Sequence, residues 1–222
     1  MKSSKKAVVL LSGGIDSVTS MFYALNKGFK LNALIFDYGQ RHKRELASAR
    51  KIAGIAGVSY KVVKVNFPWG GSVLLDKKSK LPHGRFMRKT IPSTYVPGRN
   101  IIFLSLGISY AEAISADEVF IGVNAVDYSG YPDCRPDFIK AFQKAVDLGI
   151  KSVVEGKKIK ISVPLINLSK KEIIELGLKL GVPFKDTWSC YSGGANPCNR
   201  CDSCLIRRKG FQDAGIKDPL DR

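Results

Sequence analysis

The sequence predicts a doubly wound α/β fold, a five-stranded parallel sheet with helices on both faces and a small cysteine-bearing appendage at the C-terminal end. Three observations carry this expectation. Apolar runs of strand length alternate with segments of helical period along most of the 222 residues, which implies parallel strands joined by right-handed crossovers. The first apolar run breaks into a glycine pair that opens a helix, and four of the five cysteines crowd into the last part of the chain.

Ala7 to Leu11 forms the first strand, since "VVLL" reads as a buried parallel strand. Gly13 and Gly14 let the backbone turn sharply and approach a bound group. Val18, Met21, Phe22 and Leu25 then recur at helical spacing. A helix start with unpaired N–H groups and a positive end suits phosphate; a plain tight turn capped by Asp16 or Ser17 fits the local pattern as well. "LNALIFDY" is the second strand, ending at Asp37, "ELASARKIAGIAG" a helix with a glycine stop, and "SYKVVKV" the third strand.

From Asn66 to about Gly98 the alternation fails. Pro68, Pro82, Pro92, Pro97, Gly70 and Gly71 make a long excursion, and loops of that length are disordered or functional. "NIIFLSLGISYAEAI" restores a helix, packed through Ile101, Leu104, Ile108 and Ala111 or residues near them. "EVFIGV" is the fourth strand, "PDFIKAFQKAVDLGI" a helix beginning at Pro136, and "KIKISVPL" the fifth strand. "SKKEIIELGLKLG" carries a capping box, Ser169 with Glu172, and a stop at Gly181. The alternation alone does not fix the strand order, but it places a ligand at the carboxyl ends of the strands. Residues 1–185 form the main domain and residues 186–222 a metal-binding subdomain packed on it.

No apolar stretch is long enough to span a bilayer, and Lys2, Lys5 and Lys6 lead directly into the first strand with no cleavable leader. A cytoplasmic protein without membrane contact is expected. The net charge of +17, from 36 basic against 19 acidic residues, concentrates phosphate-bearing ligands near the surface. The lysines are scattered near turns, with no interleaved aromatics of the kind a single-strand nucleic-acid surface needs.

Cys190, Cys198, Cys201 and Cys204 supply four thiolates, a set that suits one closed, structural zinc able to fold a tail with little core of its own. Asn196, Pro197 and Asn199 favour the turning this needs. An iron–sulfur cluster uses the same ligands, but the run lacks the Cys-Pro ending of bacterial ferredoxins. Cys134 stands alone and reads as a buried small side chain or pocket wall.

Ser12-Gly13-Gly14-Ile15-Asp16-Ser17 is an SGGxDS signature and resembles the phosphate loop of the PP-loop ATP pyrophosphatases (adenine nucleotide alpha hydrolase-like). It lacks the Gly-Lys-Ser/Thr ending of a Walker loop. "FDYGQRHKRELASA", "YVPGRNIIFLS", "GVNAVDYSGYPDCRPDF", "PLINLSKKEI" and the terminal CxxCxxC together resemble the QueC family of 7-cyano-7-deazaguanine synthases over essentially the whole chain. The resemblance implies a PP-loop sheet of order 3-2-1-4-5, a homodimer and one structural zinc per chain. It also implies conversion of 7-carboxy-7-deazaguanine and free ammonia into 7-cyano-7-deazaguanine at the expense of ATP. Since that substrate is a small base, no nucleic acid is required as a partner.

Within this frame Ser12, Gly13, Gly14, Asp16 and Ser17 hold the leaving pyrophosphate, with Asp16 orienting Mg2+. The nucleotide contact runs through Leu10, Leu11, Ile15, Val18, Thr19 and Ser20, with Asp37 and Tyr38 at the adenosine end. Val18, Thr19 and Ser20 fit helix packing equally well, and Asp37 could cap a turn. Arg99 and Lys170 join Ser12, Asp16 and Ser17 as catalytic candidates, because a guanidinium fork and an ammonium can meet phosphate or carboxylate. Arg41 and His42 form a further cationic pair suited to a salt bridge or to helix entry. Asn124, Asp127, Tyr128, Asp133 and Arg135 are the candidates for the deazaguanine ring, with either aspartate able to pair its N–H edge. A PP-loop tRNA-modifying enzyme for thiolation or amidation, and a non-catalytic zinc-stabilised RNA-binding protein, are the rival functions.

Overall fold

In the computed structural model, which describes residues 5–83, 91–124 and 130–221, five strands build one sheet. They are β1 (Lys6–Leu10), β2 (Lys30–Asp37), β3 (Ser59–Lys64), β4 (Glu118–Phe120) and β5 (Lys160–Ser162), in the order β3-β2-β1-β4-β5. Every pairing is parallel, with Leu10 opposite Leu34 and Val9 opposite Phe120. The chain leaves β1 toward β2 on one side and returns to β4 on the other, so a crevice opens where β1 and β4 end together. That is the place an open α/β sheet offers to a ligand.

Parallel neighbours need crossovers, and helices supply them. α1 (Ile15–Asn26) and α2 (Arg44–Ile55) cover one face, α3 (Arg99–Ala113) and α4 (Pro136–Gly149) the other, followed by the short α5 (Lys151–Val154). The period-2 geometry of a strand explains the division. Ala7, Val9 and Leu11 enter one core with Val18, Met21 and Ile52, whereas Val8 and Leu10 enter the second with Leu104, Ile108 and Ile139. In α3 the packing stripe is Phe103, Leu104, Ile108 and Ala111, while Ile101, expected to pack, is 43% exposed. Gly107 draws the helix down onto Leu10 and Val119, which turns Ile101 to the edge of the buried arc.

α6 (Lys170–Lys179) and α7 (Asp202–Asp213) extend the first core. Phe211 of α7 meets Phe184 edge to face, the ring centroids being 5.4 Å apart, a favourable arrangement for an aromatic pair. Arg207 donates to both carboxylate oxygens of buried Asp218, at 2.6 and 2.8 Å, and to Thr187 Oγ1 at 2.8 Å. Among the described residues no helix is long and apolar enough to cross a membrane.

Candidate active site and metal centre

β1 delivers the chain into Ser12–Gly14 and then α1, whose N-cap is Gly14 in an extended conformation. Gly13 has φ +87°, and a Cβ there would stand 2.6 Å from the Glu45 carbonyl oxygen and 2.7 Å from the Ala49 nitrogen. From the other side Gly122 presses on the same turn, where a Cβ would meet the Asp16 carbonyl carbon and the Ser17 nitrogen at 2.7 Å. The turn is therefore wedged between α2 and the end of β4, with bare backbone on both sides. Ser12 and Ser17 bring their hydroxyl oxygens to 2.9 Å.

A cavity opens above this turn, lined by Leu10, Leu11, Ser12, Gly14, Ile15, Asp16, Ser17, Tyr38, Arg99 and Lys170. Lys170 is the first residue of α6, fixed by the complete Ser169–Glu172 capping box. Its Nζ donates to both Asp16 carboxylate oxygens, at 2.6 and 2.7 Å. Arg99 opens α3 after Gly98, which takes a left-handed conformation, and its guanidinium lies 5.9 Å from the Tyr38 ring centroid. Burial would depress its pKa, but the combined pull of Tyr38, Tyr131, Cys134 and Asp133 raises it above the ordinary value. Among the described residues no carboxylate lies within ion-pair distance of it. Arg99 is thus a permanent cation in the cavity wall, whereas Asp16 and Lys170 neutralise each other.

The other expected site residues divide. Val18, Thr19 and Ser20 are fully buried within α1 and do not line the cavity. Asp37 lies outside it, 3.9 Å from Lys43. Asn124 is buried and does not line the cavity, and Arg135 is exposed at the start of α4. Asp133 is buried and accepts a 3.0 Å hydrogen bond from the Asn100 backbone N–H, which fixes the first turn of α3; burial raises its pKa. Asp127 and Tyr128 fall outside the described residues. Cys134 is a pocket wall, accepting from Asn100 Nδ2 at 3.1 Å.

Three further residues line the cavity, of which the sequence marks only Tyr131, in the tyrosine-rich "YSGYP" stretch that reads as a pocket wall. Thr94 and Tyr131 share a 2.8 Å hydroxyl contact across the excursion loop and the segment before α4, a pairing 37 residues apart. Glu45, in the first turn of α2, reads in the sequence as an ordinary complement to the helix dipole. In the folded chain it lines the cavity, and burial pushes its carboxyl up to about 7, with Arg99 opposing and Cys190 adding to the rise.

Beside the cavity, Cys190, Cys198, Cys201 and Cys204 bring their sulfurs within 4.8 Å of one another. Asn199, at φ +57°, makes the turn between the second and third cysteines. Backbone N–H groups of Ser192 and Cys198 point at Cys190 Sγ (3.4 and 3.3 Å), and that of Cys201 at Cys198 Sγ (3.4 Å). A tetrahedral ion with Zn–S bonds of about 2.3 Å holds its sulfurs about 3.8 Å apart; here Cys204 Sγ lies 3.5 Å from Cys201 Sγ and 4.0 Å from Cys198 Sγ. The four thiols thus form a metal-binding cluster. Ser189, Tyr191, Ser203 and Arg207, adjoining these cysteines, also line the cavity.

Residues 6–215 match the family model described as "Queuosine biosynthesis protein QueC". The chain is 53% identical over 218 residues to the 7-cyano-7-deazaguanine synthase of Acetivibrio thermocellus, covering 98% of this chain and 97% of the relative. It is also 53% identical over 220 residues to that of Trichodesmium erythraeum, covering 97% and 99%. Among solved structures the fold resembles that of NMN synthetase from Francisella tularensis, with TM-score 0.51 at 17% identity over 97% of this chain and 79% of the other.

Proposed function

The chain belongs to the QueC family, and from that premise we propose that it is an ATP-dependent carbon–nitrogen ligase converting 7-carboxy-7-deazaguanine and ammonia into 7-cyano-7-deazaguanine through an amide. The observation that carries the assignment is the convergence of the SGGxDS turn, the Asp16–Lys170 pair and the Arg99 guanidinium in one cavity at the ends of β1 and β4. A carboxylate is a poor electrophile, so the acid oxygen attacks the α-phosphorus of ATP and pyrophosphate leaves. Ammonia adds to the mixed anhydride, loses a proton and expels AMP, giving the amide. The amide oxygen then attacks a second ATP, and loss of the two remaining N–H protons with AMP leaves the nitrile.

Ser12, Ser17 and the backbone of Gly13 and Gly14 cradle the pyrophosphate, while Arg99 and Lys170 offset the charge that develops on the transferring phosphoryl group. Asp16 is the carboxylate that would hold Mg2+, an ion that supplies charge neutralisation on the phosphates; Lys170 then turns from Asp16 to the phosphates. Leu10, Leu11, Ile15 and Tyr38 line the nucleotide end. The deazaguanine ring is proposed to lie beside Tyr131, with Asn124, Asp127, Tyr128, Asp133 and Arg135 as the candidates for recognising its edge. The cysteine cluster takes one structural zinc, because four thiolates leave no open position for catalysis. Residues 186–222 form the zinc subdomain on a PP-loop domain of residues 1–185. Family membership further supports a cytoplasmic homodimer that needs neither nucleic acid nor membrane.

The two-step route is tested through its intermediate. Synthetic 7-amido-7-deazaguanine with ATP and no ammonia should yield the nitrile, AMP and pyrophosphate, followed together by mass-resolved chromatography. An inert amide, where acid plus ammonia reacts fully, would remove the free amide from the route.

A further inference from the structure

Arg41 stands just beyond β2, where a cation next to a nucleotide cavity would ordinarily be assigned to phosphate. It lines that cavity, and both of its terminal nitrogens already donate to backbone carbonyls. Nη1 donates to the carbonyl oxygens of Val73 (3.2 Å), Asp76 (2.8 Å) and Ser79 (2.6 Å), and Nη2 to that of Lys77 (3.0 Å). The Arg41 backbone N–H donates to the Leu74 carbonyl at 3.0 Å. Among the described residues no carboxylate lies within ion-pair distance of the guanidinium.

These carbonyls belong to the excursion between β3 and α3, where residues 73–79 join no strand in which to pair them. Carbonyls held close together need a donor, and a charged fork satisfies several at once. The turn is shaped for this: Asp76 accepts from the Lys78 N–H (2.9 Å) and the Ser79 hydroxyl (2.5 Å), bending 76–79 back on itself, while Lys77, Lys78 and Lys80 point into solvent. One end is held by Val73 N–H on the Ser93 carbonyl at 3.0 Å. Beyond the turn, His83 pairs with Cys201 of the metal cluster. Leu74, inside the turn, is 9% exposed, belongs to the same apolar cluster as Tyr38 and Phe67, and lines the cavity with Tyr38.

We propose that Arg41 is a positioning residue for ATP: it gathers the 73–79 turn into a fixed wall that holds Leu74 against Tyr38 at the nucleotide end of the cavity, and it does not ligate phosphate. The proposal rests on the assignment of this cavity to ATP. Without the guanidinium the wall loosens while Asp16, Arg99 and Lys170, carried on other elements, stay in place, so nucleotide binding weakens and the chemical step persists. Lysine offers a point charge in place of a fork and restores only part of the anchoring.

The test uses the full-length, metal-loaded protein with Arg41→Gln and Arg41→Lys. KM for ATP should rise about tenfold in Arg41→Gln and less in Arg41→Lys, with kcat within about twofold of wild type. Amide hydrogen exchange in peptides spanning 72–81 should accelerate in the same order. A fall in kcat at unchanged KM would make Arg41 a ligand of the reacting phosphates and overturn the proposal. So would wild-type exchange and KM in Arg41→Lys, which decides the matter if Arg41→Gln fails to fold. Wild-type protein that forms no AMP from ATP with the acid and ammonia would sink the enzymatic assignment instead, and exchange would still show whether Arg41 holds the turn.

Discussion

Asp16 is held by Lys170 at both oxygens, so its charge serves the free protein as a partner, and in the proposed mechanism it would hold the metal of the loaded one. Asp16→Asn keeps the side-chain shape and removes the charge. Magnesium-dependent AMP formation should fall by about a hundredfold or more, with the circular dichroism spectrum unchanged; wild-type turnover with the same magnesium optimum would remove Asp16 from that role. Glu45 behaves oppositely, because burial raises its carboxyl to about 7 against about 4.3 in an unfolded chain. The folded protein binds more protons in that window, so stability falls as pH rises through it. Thermal melts of Glu45→Gln should show a smaller loss between about pH 5 and pH 8 than wild type, and a higher Tm at about pH 8. Equal slopes in the two proteins would mean that Glu45 ionises freely.

The cap of α6 does two things at once. Ser169 Oγ accepts from the Glu172 N–H at 3.3 Å, Glu172 accepts from the Ser169 N–H at 2.7 Å, and the next residue is Lys170. Loss of a capping serine costs roughly 1 kcal/mol, and here it also frees the turn that aims Lys170 at Asp16. Ser169→Ala should therefore lower stability by about that amount in denaturant titrations, and lower kcat more than an exposed change such as Lys179→Ala, the control on the same helix. Equal kcat in both variants would confine the cap to stability.

Across the molecule the metal cluster, α7 and the sheet form one mechanical unit. Arg207 reaches from α7 to Thr187, Phe184 and Asp218 while also lining the cavity, and Phe211 sits in the core against Phe184. Cys201 is fully buried at the start of α7. Elemental analysis of the purified protein should give one zinc per chain. Cys201→Ser should lower the melting temperature, and any fall in activity should follow the fraction unfolded. Stoichiometric iron with visible cluster absorption would replace the structural zinc with an iron–sulfur centre.

The sequence by itself determined the features that are local in the chain. Strand alternation, the glycine turn between β1 and α1, the Ser169–Glu172 box and the cysteine spacing each lie within a short window, where period, cap and turn chemistry act directly. The family resemblance added the strand order and the chemistry, neither of which periodicity carries. Only the tertiary structure decided what depends on contacts between distant segments. Asp16 meets Lys170 across 154 residues, Asp133 serves the Asn100 backbone and does not line the cavity, and Arg41 spends its fork on carbonyls 32 to 38 residues away. A side chain's charge is legible in a sequence, but its partner is set by which element folds against it, and in a parallel sheet those elements are remote along the chain.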